Sequence, residues 1–357
     1  MPPARNCGIH RSRKYSGQTS FGRRATSISR SLCASATTAS RCRSSIGSLS
    51  VGGVQRNVGA VRVLRSEDVR RAVPMSTAVD AVRDAFREVA AGHFVLPARQ
   101  IFGDGAVLVM SAYHSPTGTA VVKKIGIALD QVPAIRATVI WTGGGRQLVA
   151  DGTSITTLRT GAVVGVATDL LAPADASRLT LIGTGAQAPD QVRAVLAVRR
   201  IAAVTVTGRS ADRAAALGTA LADEFPGVEF TPSTSIDDAI ADADIVCCAT
   251  SSSTPLFDAD ALPERVHVNA IGAFRPTMRE LPRELLATAS VVMVDQEEAA
   301  LEESGEIIDA VCSGALTDLL ELGPALSRPP APTGRTVFKS VGIGAQDWAI
   351  AAALARA

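Results

Sequence analysis

The hydrophobic and polar positions after residue 60 follow two different patterns. Between residues 61 and 171, short runs of alternating character predict several strands in succession, with helical spacing before and after them. From residue 179 onward, short continuous apolar runs alternate with segments of helical spacing. The first pattern is typical of an antiparallel sheet, and the second of a parallel sheet whose strands are joined by helices.

The first part of the chain therefore predicts an α+β unit. Its second helix is the clearest element, because Val79, Val82, Phe86 and Val89 share one face and Gly92 ends the run. The predicted helices of this part are 67–72, 78–91 and 153–171. The predicted strands are 61–64, 107–112, 120–127, 134–141 and 147–150.

The second part predicts a doubly wound parallel sheet with right-handed crossovers. Its predicted strands are 179–182, 203–207, 228–231, 245–249, 266–271 and 291–294. Its predicted helices are 190–199, 211–224, 236–241, 280–287, 297–303 and 314–321. A loop at 324–332 follows, and residues 336–357 predict a short strand and an Ala-rich helix that packs back on the first part.

A glycine-rich stretch at 179–188, L-T-L-I-G-T-G-A-Q-A, organises this second part. Its buried strand turns on two glycines into a helix start, the arrangement that binds a phosphate at a helix N-terminus. Gly183 permits the tight turn, Gly185 lets a pyrophosphate approach the backbone, and Ala188 lets strand and helix pack closely. The pattern predicts an α/β, Rossmann-type dinucleotide-binding domain. The expected pyrophosphate contacts are Gly183, Gly185, Ala186 and Gln187.

The end of the next strand bears on the choice of cofactor. An acidic residue there would bind the ribose 2′-hydroxyl of NAD, whereas Arg209 and Ser210 offer a cation and a hydroxyl to a 2′-phosphate. NADPH is therefore the predicted cofactor, with NADH as the second option. The alternative interpretation is a helix-capping serine beside a solvated arginine. Thr250 and Ser251 follow the fourth strand, at the edge of the sheet where cofactor loops belong.

Residues 1–60 differ from the rest in composition. They contain nine Arg and one Lys but no acidic residue, and they lack sustained apolar periodicity. This composition predicts a disordered basic extension, and it also fits an organelle transit peptide or an over-long gene start. The remainder predicts two domains, an α+β domain at 61–170 together with 325–357 and a cofactor domain at 171–324.

Charge and cysteine content argue against several classes of function. Residues 61–357 carry 26 basic and 34 acidic residues, a net charge of −8, so nucleic acid is not an expected partner. No apolar run is long enough to span a bilayer. The six cysteines contain no C-x-x-C, and His93, His114 and His267 appear isolated, so no metal site is predicted. A reducing, cytoplasmic location is expected, or a mitochondrial one if residues 1–60 are a transit peptide.

The order of several motifs resembles the ornithine cyclodeaminase/μ-crystallin family over residues 61–357. These motifs are L-R-T-G-A, I-G-T-G-A-Q-A, V-T-G-R-S, D-I-V-C-C-A-T-S-S, H-V-N-A-I-G-A-F-R-P, V-D-Q-E-E-A and F-K-S-V-G-I-G-A-Q-D. The resemblance implies a dinucleotide-binding domain joined to a dimerising α+β substrate domain, and hence a homodimer. It also implies one chemistry, in which an imine next to a carboxylate gains or loses hydride at the α-carbon.

The resemblance further implies three site residues, Arg99, Lys123 and Arg159. Arginine binds a carboxylate in a planar, bidentate way, and a lysine in an apolar strand has a pKa that shifts readily toward acid–base work. Strand alternation sends only one of Lys123 and Lys124 inward, and the family spacing favours Lys123. Without the resemblance, a structural salt bridge explains either arginine equally well.

One departure from the family pattern narrows the activity. The cyclodeaminases and alanine dehydrogenases of the family resemble one another in carrying an Asp where this chain has Phe274, and a phenyl ring cannot accept a proton. The pattern A-F-R-P-T-M-R-E-L-P instead resembles the branch that reduces cyclic ketimines. We therefore predict NADPH-dependent reduction of Δ1-pyrroline-2-carboxylate or Δ1-piperideine-2-carboxylate to the L-amino acid, with Lys123 as proton relay. The alternatives are an ornithine cyclodeaminase or alanine dehydrogenase using NAD, and a non-catalytic NADPH-dependent binding protein.

Overall fold

The computed structural model describes residues 61–128 and 135–357. The basic extension that was predicted to be disordered, residues 1–60, lies outside the described residues. Within the described residues, no helix combines the length and the apolar character needed to cross a membrane.

The first part of the described chain forms a seven-stranded sheet and three helices. These elements are β1 (Arg62–Leu64), α1 (Ser66–Ala72), α2 (Met75–Ala90), β2 (Phe94–Val95), β3 (Gln100–Phe102), β4 (Val107–His114), β5 (Thr119–Ile127), β6 (Ile135–Gly143), β7 (Arg146–Asp151) and α3 (Gly152–Leu171). The strand order is β1-β7-β6-β5-β4-β2, and β3 also pairs with β4. All these pairings are antiparallel except that of β1 with β7, as the alternating pattern predicted.

This sheet has one buried and one exposed face. Side chains of a strand point to opposite faces in turn, so Val121 and Lys123 of β5 are buried whereas Val122 and Lys124 are exposed. The buried face packs against α3 and the last helix of the chain. Of the two adjacent lysines, the one that the sequence favoured is therefore the buried one.

The second part forms an eight-stranded parallel sheet in which helices join most of the strands. Its elements are β8 (Arg178–Ile182), α4 (Ala188–Val198), β9 (Ala203–Thr207), α5 (Ala211–Glu224), β10 (Glu229–Ser233), α6 (Ile236–Ile240), β11 (Ile245–Cys248), β12 (His267–Ala270), α7 (Arg283–Thr288), β13 (Val291–Val294), α8 (Glu297–Glu303), α9 (Gly305–Cys312), β14 (Leu320–Glu321), α10 (Leu322–Ser327), β15 (Thr336–Lys339) and α11 (Gly344–Arg356). The strand order is β10-β9-β8-β11-β12-β15-β13-β14. Because the order reverses at β8, a crevice opens at the carboxyl ends of β8 and β11. The predicted α/β, Rossmann-type fold is confirmed.

The last segment of the chain connects the two sheets. β15 pairs with both β12 and β13 in the second sheet. After residues 340–343 the chain enters α11, which packs against α2, α3 and β5. The prediction that the final helix returns to the first part is therefore confirmed, and the passage between the sheets falls at residues 340–343.

One helix prediction is wrong. The segment predicted as a helix at 314–321 contains Gly314 at φ +74°, irregular chain and the short strand β14. The helix lies earlier, at α9, because the Ser304 hydroxyl accepts a hydrogen bond from the Ile307 amide and caps its start. Helix α10 likewise occupies part of the loop predicted at 324–332.

Candidate functional site

The glycine turn after β8 borders a cavity of about 580 Å³. Gly183 has φ +116°, and a side chain on it would collide with the carbonyl oxygen of Ala249. A Cβ added to Gly185 would meet nothing within 4 Å. The first glycine is thus required by packing, whereas the second leaves its backbone open to the cavity, which suits a pyrophosphate.

Most of the cofactor residues predicted from the sequence border this cavity. Ala186 and Gln187 do not: they form the turn into α4, where Gln187 is the N-cap residue. The Gln187 Oε1 atom is buried and has no hydrogen-bond partner among the described residues. The predicted residues on the cavity wall are Gly183, Gly185, Arg209, Ser210, Thr250 and Ser251.

The start of α5 presents two arginines to the same cavity. Ser210 is the N-cap of α5, and its hydroxyl accepts a hydrogen bond from the Arg213 amide at 3.3 Å. The capping alternative raised by the sequence is thus real, and it does not remove Ser210 from the cavity wall. Arg213 was missed, although its position three residues after a capping serine places it in the first turn of the helix. Its guanidinium donates to the Thr184 carbonyl at 2.9 Å, and both Arg209 and Arg213 are exposed.

A second group of polar side chains surrounds Lys123, which is fully buried. Its Nζ atom lies 2.8 Å from each carboxylate oxygen of Asp347, at the start of α11. Arg159 of α3 is also buried, with its Nε atom 3.7 Å from the Asp347 Oδ1 atom. Lys123 is thus the ion-pair partner of Asp347.

The surroundings shift the pKa of both cations downward. Burial lowers the pKa of Lys123 to about 8, with Arg159 and Arg99 adding to the decrease and Asp347 opposing it. Burial also lowers the pKa of Arg159, again against the attraction of Asp347. Lys123 is therefore a cation that can release its proton near neutral pH.

Arg99 lies in the same group and pairs with a carboxylate that the sequence did not single out. Its Nη2 atom is 3.0 Å from the Glu303 Oε2 atom, at the end of α8, and approaches the carbonyl oxygen of Gly342 at 3.5 Å. Burial raises the pKa of Glu303 to about 7, against the attraction of Arg99. Arg99, Glu303 and Gly342 border a small cavity of about 90 Å³ together with Met110 and Ser111.

The turn at 340–342 holds this group together. The Asp295 Oδ2 atom accepts hydrogen bonds from the Ser340 hydroxyl at 2.7 Å and the Gly342 amide at 2.6 Å. Gly342 has φ +85°, and a side chain on it would collide with the Arg159 guanidinium. The structure thus brings Arg99, Lys123 and Arg159 to one place, and the turn between the sheets completes it.

A third buried group connects the loops at the ends of β11 and β12. The Glu280 carboxylate accepts from the amides of Thr250 at 2.7 Å, Gly272 at 2.7 Å and Ala273 at 3.1 Å. Thr250 lines the large cavity, whereas Phe274 follows this turn and is half-buried, with the Arg275 guanidinium 5.6 Å from its ring centre. Glu280 therefore fixes two loops on the side of the sheet where the cavity beside Gly183 opens.

The fold and these groups define a class of protein that combines two parts. One is a parallel sheet of the dinucleotide-binding type, and the other is an α+β unit that carries a separate buried polar site. A family model described as the ornithine cyclodeaminase/mu-crystallin family matches residues 60–355. The chain belongs to this family, as its motifs predicted.

Several relatives in this family carry names of reductases. The chain is 41% identical over 212 residues to a Delta(1)-pyrroline-2-carboxylate reductase of Bacillus cereus (strain ATCC 10987 / NRS 248), a match that covers 56% of the chain and 63% of that relative. The matched segment thus spans less than two thirds of the length of that relative. The ketimine reductase mu-crystallin of Mus musculus is 31% identical over 253 residues, which covers 68% of the chain and 77% of that relative.

Solved structures show the same fold. The Delta(1)-pyrroline-2-carboxylate reductase of Thermococcus litoralis, in complex with NADH and L-proline, has a TM-score of 0.77 at 26% identity and covers 83% of this chain and 97% of that one. An archaeal alanine dehydrogenase dimer with bound NAD has a TM-score of 0.75 at 28% identity, covering 83% of this chain and 95% of that one.

Proposed function

We propose that the protein is an NADPH-dependent reductase of a cyclic imine that carries a carboxylate beside its C=N bond, such as Δ1-pyrroline-2-carboxylate or Δ1-piperideine-2-carboxylate. The observation that carries this proposal is a set of buried donors around Lys123. Arg99 Nε, Arg159 Nε and Gln346 Nε2 are buried and lack hydrogen-bond acceptors among the described residues. A substrate carboxylate supplies such acceptors. The names of the Bacillus and Thermococcus relatives support the same substrate class.

In this proposal each residue of the group has a separate task. Arg99 and Arg159 bind the carboxylate, and Lys123 carries on Nζ the proton that the imine nitrogen takes up. Asp347 orients Lys123 through the contacts at 2.8 Å. A lysine with a pKa of about 8 is largely protonated at neutral pH and still gives up its proton readily.

The large cavity is the proposed cofactor site. Bound NADPH supplies the hydride for the imine carbon. The backbone at Gly183 and Gly185 receives the pyrophosphate, and Arg209 and Arg213 face the 2′-phosphate beside the first turn of α5. Two exposed cations at one helix N-terminus favour a doubly charged phosphate over a hydroxyl.

The deciding experiment measures the oxidation of NADPH and, in parallel, of NADH in the presence of Δ1-pyrroline-2-carboxylate or Δ1-piperideine-2-carboxylate. We expect turnover that prefers NADPH. Arg209→Ala and Arg213→Ala should each lower kcat/KM for NADPH by roughly 10- to 100-fold, the effect of one charge-assisted hydrogen bond, and leave the value for NADH unchanged. Arg178→Ala, an exposed arginine at the other end of β8, is the matched control.

Two results would contradict this proposal. If the arginine variants lose kcat/KM equally for NADPH and NADH, the two arginines do not bind the 2′-phosphate, but the reductase activity is still supported. Absence of turnover with either ring, together with ammonia release from ornithine and NAD, would replace the reductase by a cyclodeaminase and would mean that Phe274 does not exclude deamination.

We also propose that the protein is a homodimer that pairs through the exposed face of the first sheet. The nine large exposed apolar side chains of the described residues all belong to residues 61–140. Val122 of β5 lies directly opposite Ile140 of β6 on that face. Val122→Glu combined with Ile140→Glu should convert a dimer into a monomer in sedimentation equilibrium, because it places two carboxylates in an apolar contact. A wild-type monomer would contradict the proposal.

A further inference from the structure

A carboxylate and two imidazoles meet outside the two cavities described above. Glu88 lies in the last turn of α2, His93 follows that helix, and His114 is the last residue of β4. The Glu88 Oε2 atom is 2.7 Å from His93 Nδ1 and 3.1 Å from His114 Nε2. The three atoms lie within 4.8 Å of one another. The two histidines are isolated in the sequence, and the fold brings them together.

The backbone fixes the positions of the three side chains. Gly92 at φ +75° ends α2, and the His93 amide then donates to the Glu88 carbonyl at 3.0 Å. The antiparallel pairing of β2 with β4 sets Phe94 opposite His114, next to His93 in the chain. A helix end and a strand end therefore hold the ligand atoms, so the site is formed before any ion binds.

The ring of His114 is oriented from its far side. Its Nδ1 atom lies 2.7 Å from the Thr117 hydroxyl, which in turn lies 2.8 Å from the Thr119 hydroxyl. Trp348 donates its indole N–H to Thr119 at 2.8 Å, and its ring centre lies 4.6 Å from that of His114. When a metal ion takes the place of the contact between Nε2 and Glu88, the Thr117 hydroxyl can accept from Nδ1–H and leave the Nε2 lone pair to the ion.

We propose that Glu88, His93 and His114 bind a divalent transition-metal ion of the Zn²⁺ type. Two imidazole nitrogens and one carboxylate oxygen form a donor set that suits Zn²⁺ better than it suits Mg²⁺ or Ca²⁺. Tetrahedral ligands lie about 3.3 Å apart, so the exposed His93 ring needs only to turn toward His114.

The contacts and exposure of the cluster agree with this assignment. Both rings contact the same oxygen atom, Glu88 Oε2. An ion bound between the three side chains would instead form one bond to each of them. His93 and Glu88 are 46% and 40% exposed, which leaves room for water at the remaining position of the ion.

The proposal is tested by titrating the chelator-treated, full-length protein with Co²⁺, which reports tetrahedral binding by visible absorption. The Trp348 ring centre lies 4.6 Å from that of His114, so bound Co²⁺ should also quench tryptophan fluorescence. His93→Asn combined with His114→Asn should weaken binding at least 100-fold, and Thr117→Val should weaken it roughly 10- to 100-fold by releasing the ring, with Thr117→Ser restoring it. Zn²⁺ should raise the Tm of the wild type but not that of the double histidine variant.

Two matched variants separate this site from others. Asp84→Asn removes a carboxylate one turn earlier on the same helix and should leave Co²⁺ affinity unchanged. Trp348→Phe should keep the absorption signal and lose most of the quenching. Co²⁺ absorption that persists at the same affinity in the double histidine variant would overturn the proposal, as would a wild type without tetrahedral absorption.

Discussion

Two lysines of the described residues are fully buried, and their surroundings differ. Lys123, on the first sheet, pairs with Asp347 but also lies near Arg159 and Arg99, which lower its pKa. Lys339, on the second sheet, pairs with Glu306 at 2.9 Å. The first group contains three cations, whereas the second contains one cation and two carboxylates.

In the second group, the carboxylates accept hydrogen bonds from nearby backbone amides. Glu306 accepts from the amides of Glu280 and Leu281 at 2.6 Å and 3.1 Å, and Glu280 in turn binds the loops after β11 and β12. The carboxylates of this group have Lys339 and backbone amides as their partners. Buried charge by itself therefore does not mark a site.

The largest expected difference concerns the two lysines themselves. Lys123→Met should lower kcat for the cyclic imine by roughly 100- to 10,000-fold, because it removes the proton source, and should leave NADPH affinity within about twofold. Steady-state kinetics and fluorescence titration of NADPH measure the two quantities. Lys124→Met, on the exposed face of the same strand, is the control. Full turnover in the Lys123 variant would remove this lysine from the reaction.

The second prediction concerns stability. Lys339→Met should lower the free energy of unfolding by about 3–5 kcal/mol, because it leaves Glu306 buried without its counter-ion. Lys339→Met combined with Glu306→Gln should recover at least half of that loss, since no isolated charge remains. Denaturant unfolding of the three proteins decides the point. A double variant as unstable as the single one would mean that the ion pair is not the cause.

A smaller effect should appear in the pH dependence. The pKa of Glu303 is raised to about 7, so above pH 7 its carboxylate is charged and competes with the substrate carboxylate for Arg99. KM for the imine should therefore rise above pH 7. The value of kcat should fall only above pH 8, where Lys123 loses its proton.

Glu303→Gln separates these two titrations. It should abolish the rise of KM, because a neutral amide does not compete for Arg99 in the same way, and should leave the fall of kcat near pH 8. Steady-state kinetics across this pH range gives both curves. Glu298→Gln on the same helix borders the same cavity without pairing with Arg99 and serves as control. If KM still rises in the Glu303 variant, Arg99 is not the shared partner.

Sequence patterns were sufficient where local rules dominate. Alternation in β5 sends only one of Lys123 and Lys124 inward, the family spacing favoured Lys123, and the glycine turn at Gly183 borders the cavity after β8. The position of Arg213 could also have been predicted, because the capping serine defines the first turn of its helix. These features depend on residues that are close together in the chain.

Other features depend on contacts that no local pattern contains. Glu303 lies in a correctly predicted helix, but its pKa is raised by burial in the fold, beside the sequence-distant Arg99. The misplaced helix, α9, begins after the Ser304 cap and ends before Gly314. Both signals are visible in the sequence, but the helix was predicted from Gly314 onward because of the apolar spacing there. The meeting of His93 with His114 required the pairing of β2, a two-residue strand too short to be predicted.

The return of the last helix to the first sheet has a consequence for biosynthesis. Lys123 and its partner Asp347 are 224 residues apart, so at ordinary elongation rates the ribosome needs roughly 10 to 45 seconds between them. During that interval the first sheet is already outside the exit tunnel with the face that α11 covers still bare. A nascent chain of this protein should therefore attract chaperones to that face until translation ends.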